Sequence, residues 1–234
     1  MVLSETYQQD SKVDKAAREL DPENRYLSRG PSTRLSAEMM RDNALVASGL
    51  LNTAIGGKSV KPYQPSGLWE INSSTYQQDT TDAIYRRSLY VIVKRTVPNP
   101  TLSTFDASAR TSCLPRRQKT NTPLQALVAL NDPTFVEASK WIASEMCQEK
   151  DVKTAIRNAY RKLTGVFPSE TQVSLLQQLQ ASQAEKFKQF PQKIVGWTQT
   201  GKRPLAAGQD KAQLAANAVV ASTILNSDAT LMKR

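Results

Sequence analysis

Apolar residues recur at three- and four-residue intervals along most of this chain, and helix-starting or helix-stopping residues flank nearly every such run. Leu35 and Met40 bracket Ser36 as a hydrophobic staple around an N-cap. Met40, Ala44, Ala47 and Leu51 then keep the helical period towards a stop at Gly56-Gly57. Thr122-Pro123-Leu124-Gln125 reads as an N-cap, a proline at the first helical position and a capping-box glutamine. It predicts a short helix with Leu127 and Leu130 on its apolar face. Asp132-Pro133 restarts the pattern with Phe135, Ala138, Ile142 and Met146 on one side. Further helices are expected over residues 152–163, with Gly165 past the end, and from a Ser169/Gln172 capping box to near Pro191. Residues 196–209, with three glycines and a proline, read as an internal loop or linker. The last helix then carries Leu214, Ala218, Ala221 and Leu225 as a buried stripe.

One segment resists this reading. In residues 89–93, LYVIV, the β-branched side chains favour a strand, whereas Tyr85, Leu89 and Ile92 share a helical face. Helix is preferred and strand stays open. Val97-Pro98-Asn99-Pro100 must leave regular structure, because each proline biases its predecessor towards extended backbone, and a long loop is expected from there to Lys119. Asp21-Pro22-Glu23-Asn24 marks a turn and Arg29-Gly30-Pro31 a break. The pattern as a whole predicts one mostly α-helical, irregular multi-helix domain over residues 1–234. It should have roughly eight helices around a long basic loop and at most a minor β element.

Charge concentrates on that loop. The 234-residue chain carries a formal +10, and between Tyr85 and Lys119 eight cations face one acid, Asp106, so this stretch alone supplies +7. The candidates for gripping phosphate, sulfate or carboxylate are Arg86, Arg87, Arg95, Arg110, Arg116, Arg117 and Lys119, with Lys94 among them in sequence, since a guanidinium offers a planar fork to paired oxygens. The competing reading has several of them pin the loop by pairing with Asp106, Glu38, Asp42 or backbone carbonyls. Asp106 cannot neutralise eight cations. It is the weak catalytic candidate, as general acid or base, with a capping or arginine-pairing carboxylate as its bland alternative.

Other chemistry is excluded outright. Without histidine there is no Ser-His-Asp triad, no Cys-His dyad, no His-ligated zinc and no CxxCH haem attachment. Gly57-Lys58-Ser59 lacks the earlier glycine of a phosphate loop, since Asn52 stands there. Cys113 and Cys147 are too few for a disulfide framework and are expected as separate buried thiols. No apolar run approaches the roughly 18 residues of a bilayer span, MVLSETYQQDSK has no signal-peptide character, and no metal site is expected.

The run YRRSLYVIVKRTVPNPTLSTFDA followed by RRQKTNTPLQALVALNDPTFVEAS resembles the C-terminal domain of unknown function in planctomycete-type cytochrome c proteins, called planctomycete-specific domain one. LSETYQQDS, DPENRYLSRGPSTRLSAEMMRDNALVASGLL and IGGKSVKPYQPSGLWE agree in order and spacing. Two departures stand out: INSSTYQQDTTD is shorter and more polar than the family pattern, and Asn217 replaces a usual tryptophan. The resemblance implies a C-terminal piece of a longer secreted or envelope polypeptide. Such a piece would need no cofactor of its own, with haem c in the region upstream. It supplies no catalytic residues.

Three functions follow from these readings. The preferred one is a non-catalytic extracytoplasmic module that contacts its own upstream domains or an anionic cell-surface glycan. An enzyme acting on a sulfated or carboxylated polysaccharide is the first alternative, but only one carboxylate accompanies the cations. Weak nucleic-acid binding ranks last, because a pI near 9.7 comes without a recognisable binding motif.

Overall fold

In the computed structural model, which describes residues 1–70, 74–205 and 208–233, helices begin where a side chain can satisfy the first free N–H groups. Two short exposed helices come first, α1 (Glu5–Gln8) and α2 (Lys15–Leu20). Ser36 accepts from the Met39 N–H and opens α3 (Ala37–Ala47), and Asn99 does the same for α4 (Pro100–Thr104). Thr122 caps α5 (Pro123–Asn131), Asp132 caps α6 (Pro133–Met146) and Asp151 caps α7 (Val152–Thr164). Both halves of the Ser169/Gln172 capping box form at the start of α8 (Glu170–Gln189). The turn α9 (Val195–Thr198), the Asp210-capped α10 (Lys211–Leu225) and the short α11 (Asp228–Leu231) complete eleven helices among the described residues. The fold is mostly α, and β structure is minor. Strand β1 (Thr33–Arg34) pairs antiparallel with β2 (Met232–Lys233), Thr33 opposite Lys233.

Helices α6 and α10 form the centre. Phe135, Ala138, Ile142 and Met146 of α6 are buried as the period predicts, and so are Leu214, Ala218, Ala221 and Leu225 of α10. Alanines at 215, 216, 218 and 221 let α10 lie close against both α6 and α8. Met40 and Ala44 of α3, with Ile156, Tyr160 and Leu163 of α7, close the same core from the other sides. Phe105, just after α4, meets Phe135 edge-on with centroids 6.3 Å apart.

The structure corrects four expectations besides the unbroken loop over residues 97–119, which α4 interrupts because Asn99 caps it and Pro100 takes its first position. Helix α3 stops at Ala47 rather than running to Gly56-Gly57. Ser48 Oγ donates back to the carbonyls of Ala44 and Leu45, and Gly49 takes φ +69°, a conformation costly for any other residue. Residues 89–93 form neither an α-helix nor a strand. A 3-10 turn at Ser88–Tyr90 leads to one bridge, with Val60 donating to Tyr90 and Ile92 donating to Val60, so tertiary partners decide what propensity left open. Cys113 is exposed along with all of residues 110–116, while Cys147 is half-buried; both thiols are free.

The fourth correction concerns α5. Gln125 Nε2 donates to the Thr104 carbonyl and to Thr120 Oγ1, both at 2.9 Å, so this glutamine turns inward rather than closing a capping box. Gln125 and Ala129 are therefore the buried side, and Leu124, Leu127 and Leu130 point outward at 56, 57 and 40 % exposure. Residues 71–73, in the short polar segment, and 206–207, within the 196–209 stretch, lie outside the described residues. The described start of that stretch is occupied by α9. Among the described residues no helix is long and apolar enough to cross a membrane.

Candidate functional site: a basic loop on buried anchors

The basic loop starts from an arginine that the sequence reading missed. Arg41, on α3 and only 4 % exposed, donates through Nη1 to the Arg86 carbonyl at 2.9 Å and to Ser88 Oγ at 3.2 Å. Its Nη2 donates to the Ile84 carbonyl at 2.6 Å. Next to it, Asp42 Oδ1 accepts from the Ser88 N–H and hydroxyl, both at 2.7 Å. Two side chains of one helix thus fix the backbone over residues 84–88, from which the cationic stretch departs.

The eight cations then separate into two groups. Arg86 is 7 % exposed and lies inside a wrap formed by residues 54–58. It donates to the carbonyls of Ala54, Gly56 and Lys58, and its guanidinium stacks 3.8 Å from the Tyr90 ring centroid. Lys94 lies 4.3 Å over the Trp69 ring, itself edge-on to Tyr76. Arg117 makes a two-pronged pair with Glu38 at 3.1 and 2.9 Å, which ties the end of the loop to α3. These three belong to the interior clamp. Arg87, Arg95, Arg110, Arg116 and Lys119 are exposed, and none of their side chains makes a hydrogen bond or ion pair with a described residue.

Asp106 takes the bland role. It sits at φ +61°, and its carboxylate accepts from the Thr120 N–H at 2.7 Å and from the Thr120 hydroxyl at 2.9 and 3.0 Å. With Gln125 also bound to Thr120, this pins the loop's far end beside α5. Arg110 and Arg117 converge on one cavity of about 190 Å³, which Glu38, Ser88, Leu89 and Leu102 also line. Arg86 does not reach it. Chemically, the arrangement offers a cationic rim beside one already-paired carboxylate.

Burial is the largest single influence on Glu38 and works against its ionisation, yet the hydrogen bonds and charge of Arg117, the Glu38 backbone N–H and the Ser36 hydroxyl together outweigh it and hold the carboxyl below its ordinary range. A carboxylate with a lowered folded pKa contributes stability above its unfolded pKa, near 4.5 here, and loses it as pH falls through the folded value. Arg117→Gln is therefore expected to lower stability at neutral pH and to flatten the loss below about pH 4.5. Urea melts across that range check this, and an unchanged acid limb would mean the pair contributes nothing. Both groups are more than a third exposed, so the effect should be small.

Asn217 of α10 makes polar contacts on two sides. It accepts from Gln180 Nε2 and donates to Cys147 Sγ, each at 3.3 Å. Burial pushes the Cys147 thiol up, which favours its protonated form, and its sulfur accepts from the Asn217 amide.

These features define a helical domain whose polar interior secures a long loop and leaves part of that loop's charge outward. The chain belongs to the PSD1 family, described as a protein of unknown function (DUF1553), whose model matches residues 1–180. Comparisons with curated proteins and with solved structures give no match. The matched region ends before α10, although α10 packs against α6 at the centre of the core.

Proposed function

We propose that this domain is a non-catalytic binding module whose exposed loop cations engage an anionic cell-surface glycan. The observation that carries this reading is the division of the eight cations. Internal clamping accounts for Arg86, Lys94 and Arg117, while Arg87, Arg95, Arg110, Arg116 and Lys119 keep their donors free for an external partner. The commitment of Asp106 to Thr120 favours a module over an enzyme, since no second carboxylate accompanies it on the loop.

Calorimetric titration of sulfated, carboxylated and neutral polysaccharides tests the proposal. The anionic ones should bind, more weakly as salt rises, because exposed charges are screened beyond about 8 Å at physiological ionic strength. Arg116→Gln combined with Lys119→Gln should weaken them without moving the melting temperature. Absence of binding at low salt would reject the glycan reading.

The outward leucines of α5 favour a second contact, with another domain of the same polypeptide, since three exposed leucines share one face of that helix. By resemblance that neighbour belongs to a planctomycete-type, extracytoplasmic protein carrying haem c in an upstream domain.

A further inference from the structure

A second cavity, of about 170 Å³, lies between the start of α6, the 3-10 turn at Asp82–Tyr85 and the loop at Gly201. Glu137 of α6 lines it and is only 4 % exposed. A buried carboxylate is unfavourable unless it is paired or well hydrogen-bonded, yet no cation forms an ion pair with this one among the described residues. Lys140, one turn along α6, donates instead to the carbonyls of Thr200 at 2.7 Å and Arg203 at 3.3 Å. The Arg203 guanidinium pairs with Asp82 at 3.0 Å.

Two donors do reach Glu137, and both reach the same oxygen. The Tyr85 hydroxyl donates to Oε1 at 2.8 Å and the Arg203 N–H donates to Oε1 at 2.9 Å, whereas no described residue donates to Oε2. Burial and this hydrogen bond push the Tyr85 phenol up, so it stays a proton donor. Gly201, at φ +98°, packs directly on the carboxylate: a Cβ there would fall 2.1 Å from Glu137 Cδ. The loop therefore closes one side of the acid and leaves the cavity side open.

We propose that this cavity binds a small neutral polyhydroxylated ring, such as one sugar residue, with Glu137 Oε2 accepting from its hydroxyls. Pro62, Tyr63, Ile84 and Pro133 supply apolar wall for the C–H faces of such a ring, and Gln78 and Thr134 supply further polar groups. The surrounding charge selects against ions of either sign. Glu137 opposes an anion, while Lys202 at the lining opposes a cation.

Saturation-transfer NMR and titration with D-glucose, D-galactose and N-acetyl-D-glucosamine test this. At least one should bind, with an affinity indifferent to salt and to the Arg116→Gln/Lys119→Gln changes, which separates this site from the basic loop. Glu137→Gln keeps an acceptor for Tyr85 and Arg203 but turns an acceptor facing the cavity into a donor, so binding should fall at least about tenfold. Thr134→Trp fills the cavity from the first turn of α6 and should abolish binding, which keeps the test decisive should Glu137→Gln fail to fold. Binding of none of the three sugars, or binding that survives either variant in folded form, overturns the proposal.

Discussion

Arg41→Met is expected to lower the free energy of unfolding by about 3 kcal/mol, because it leaves several buried acceptors without donors at once. The carbonyls of Ile84 and Arg86 and the hydroxyl of Ser88 all face this guanidinium. Methionine fills similar space and restores none of those bonds. The loss of a desolvated charge offsets part of the cost, which keeps the figure below the sum of separate hydrogen bonds. Urea denaturation of the two proteins measures the difference. A loss under about 1 kcal/mol would mean that water reaches residues 84–88 and that Arg41 does not anchor the loop.

The second large effect separates two apolar residues that sequence pattern treats alike. Ile142 is fully packed between α6 and its neighbours, so Ile142→Ala should cost roughly 2–5 kcal/mol through lost contacts and the cavity left behind. Leu130→Ala should cost under about 1 kcal/mol, because much of its surface already meets solvent. Parallel denaturation curves decide it. The opposite ranking would put α5 the other way round and remove the leucine stripe as a docking face.

What the sequence revealed, and what it hid, follows from how far each determinant acts. A cap is a contact over three residues, so Ser36, Thr122 and Ser169 could be read as caps and Asp132 as a restart at the observed starts. The helical period likewise found the buried sides of α6 and α10. It failed on α5, where the inward residue is a glutamine chosen by Thr104 and Thr120 rather than by hydrophobicity. It could not resolve residues 89–93, whose backbone is set by Val60 some thirty residues earlier. The site divides in the same way. The basic stretch was visible as composition, but which cations face inward depends on the wrap of residues 54–58 around Arg86 and on the Glu38–Arg117 pair. Arg41 and Glu137 left one faint signal each: a charged residue directly beside core positions, next to Met40 in one case and Ala138 in the other.

The pairing of β1 with β2 places a constraint on how this polypeptide can be made. Thr33 meets Lys233, and the Leu35 N–H donates to the Leu231 carbonyl, so the segment entering α3 is held by residues synthesised some two hundred positions later. At roughly 5–20 residues per second, the first strand waits about 10–40 seconds for its partner. During that interval its hydrogen-bonding edge is open to proteases and to other nascent chains, and α3 must rest on α6 and α7 without that final tether.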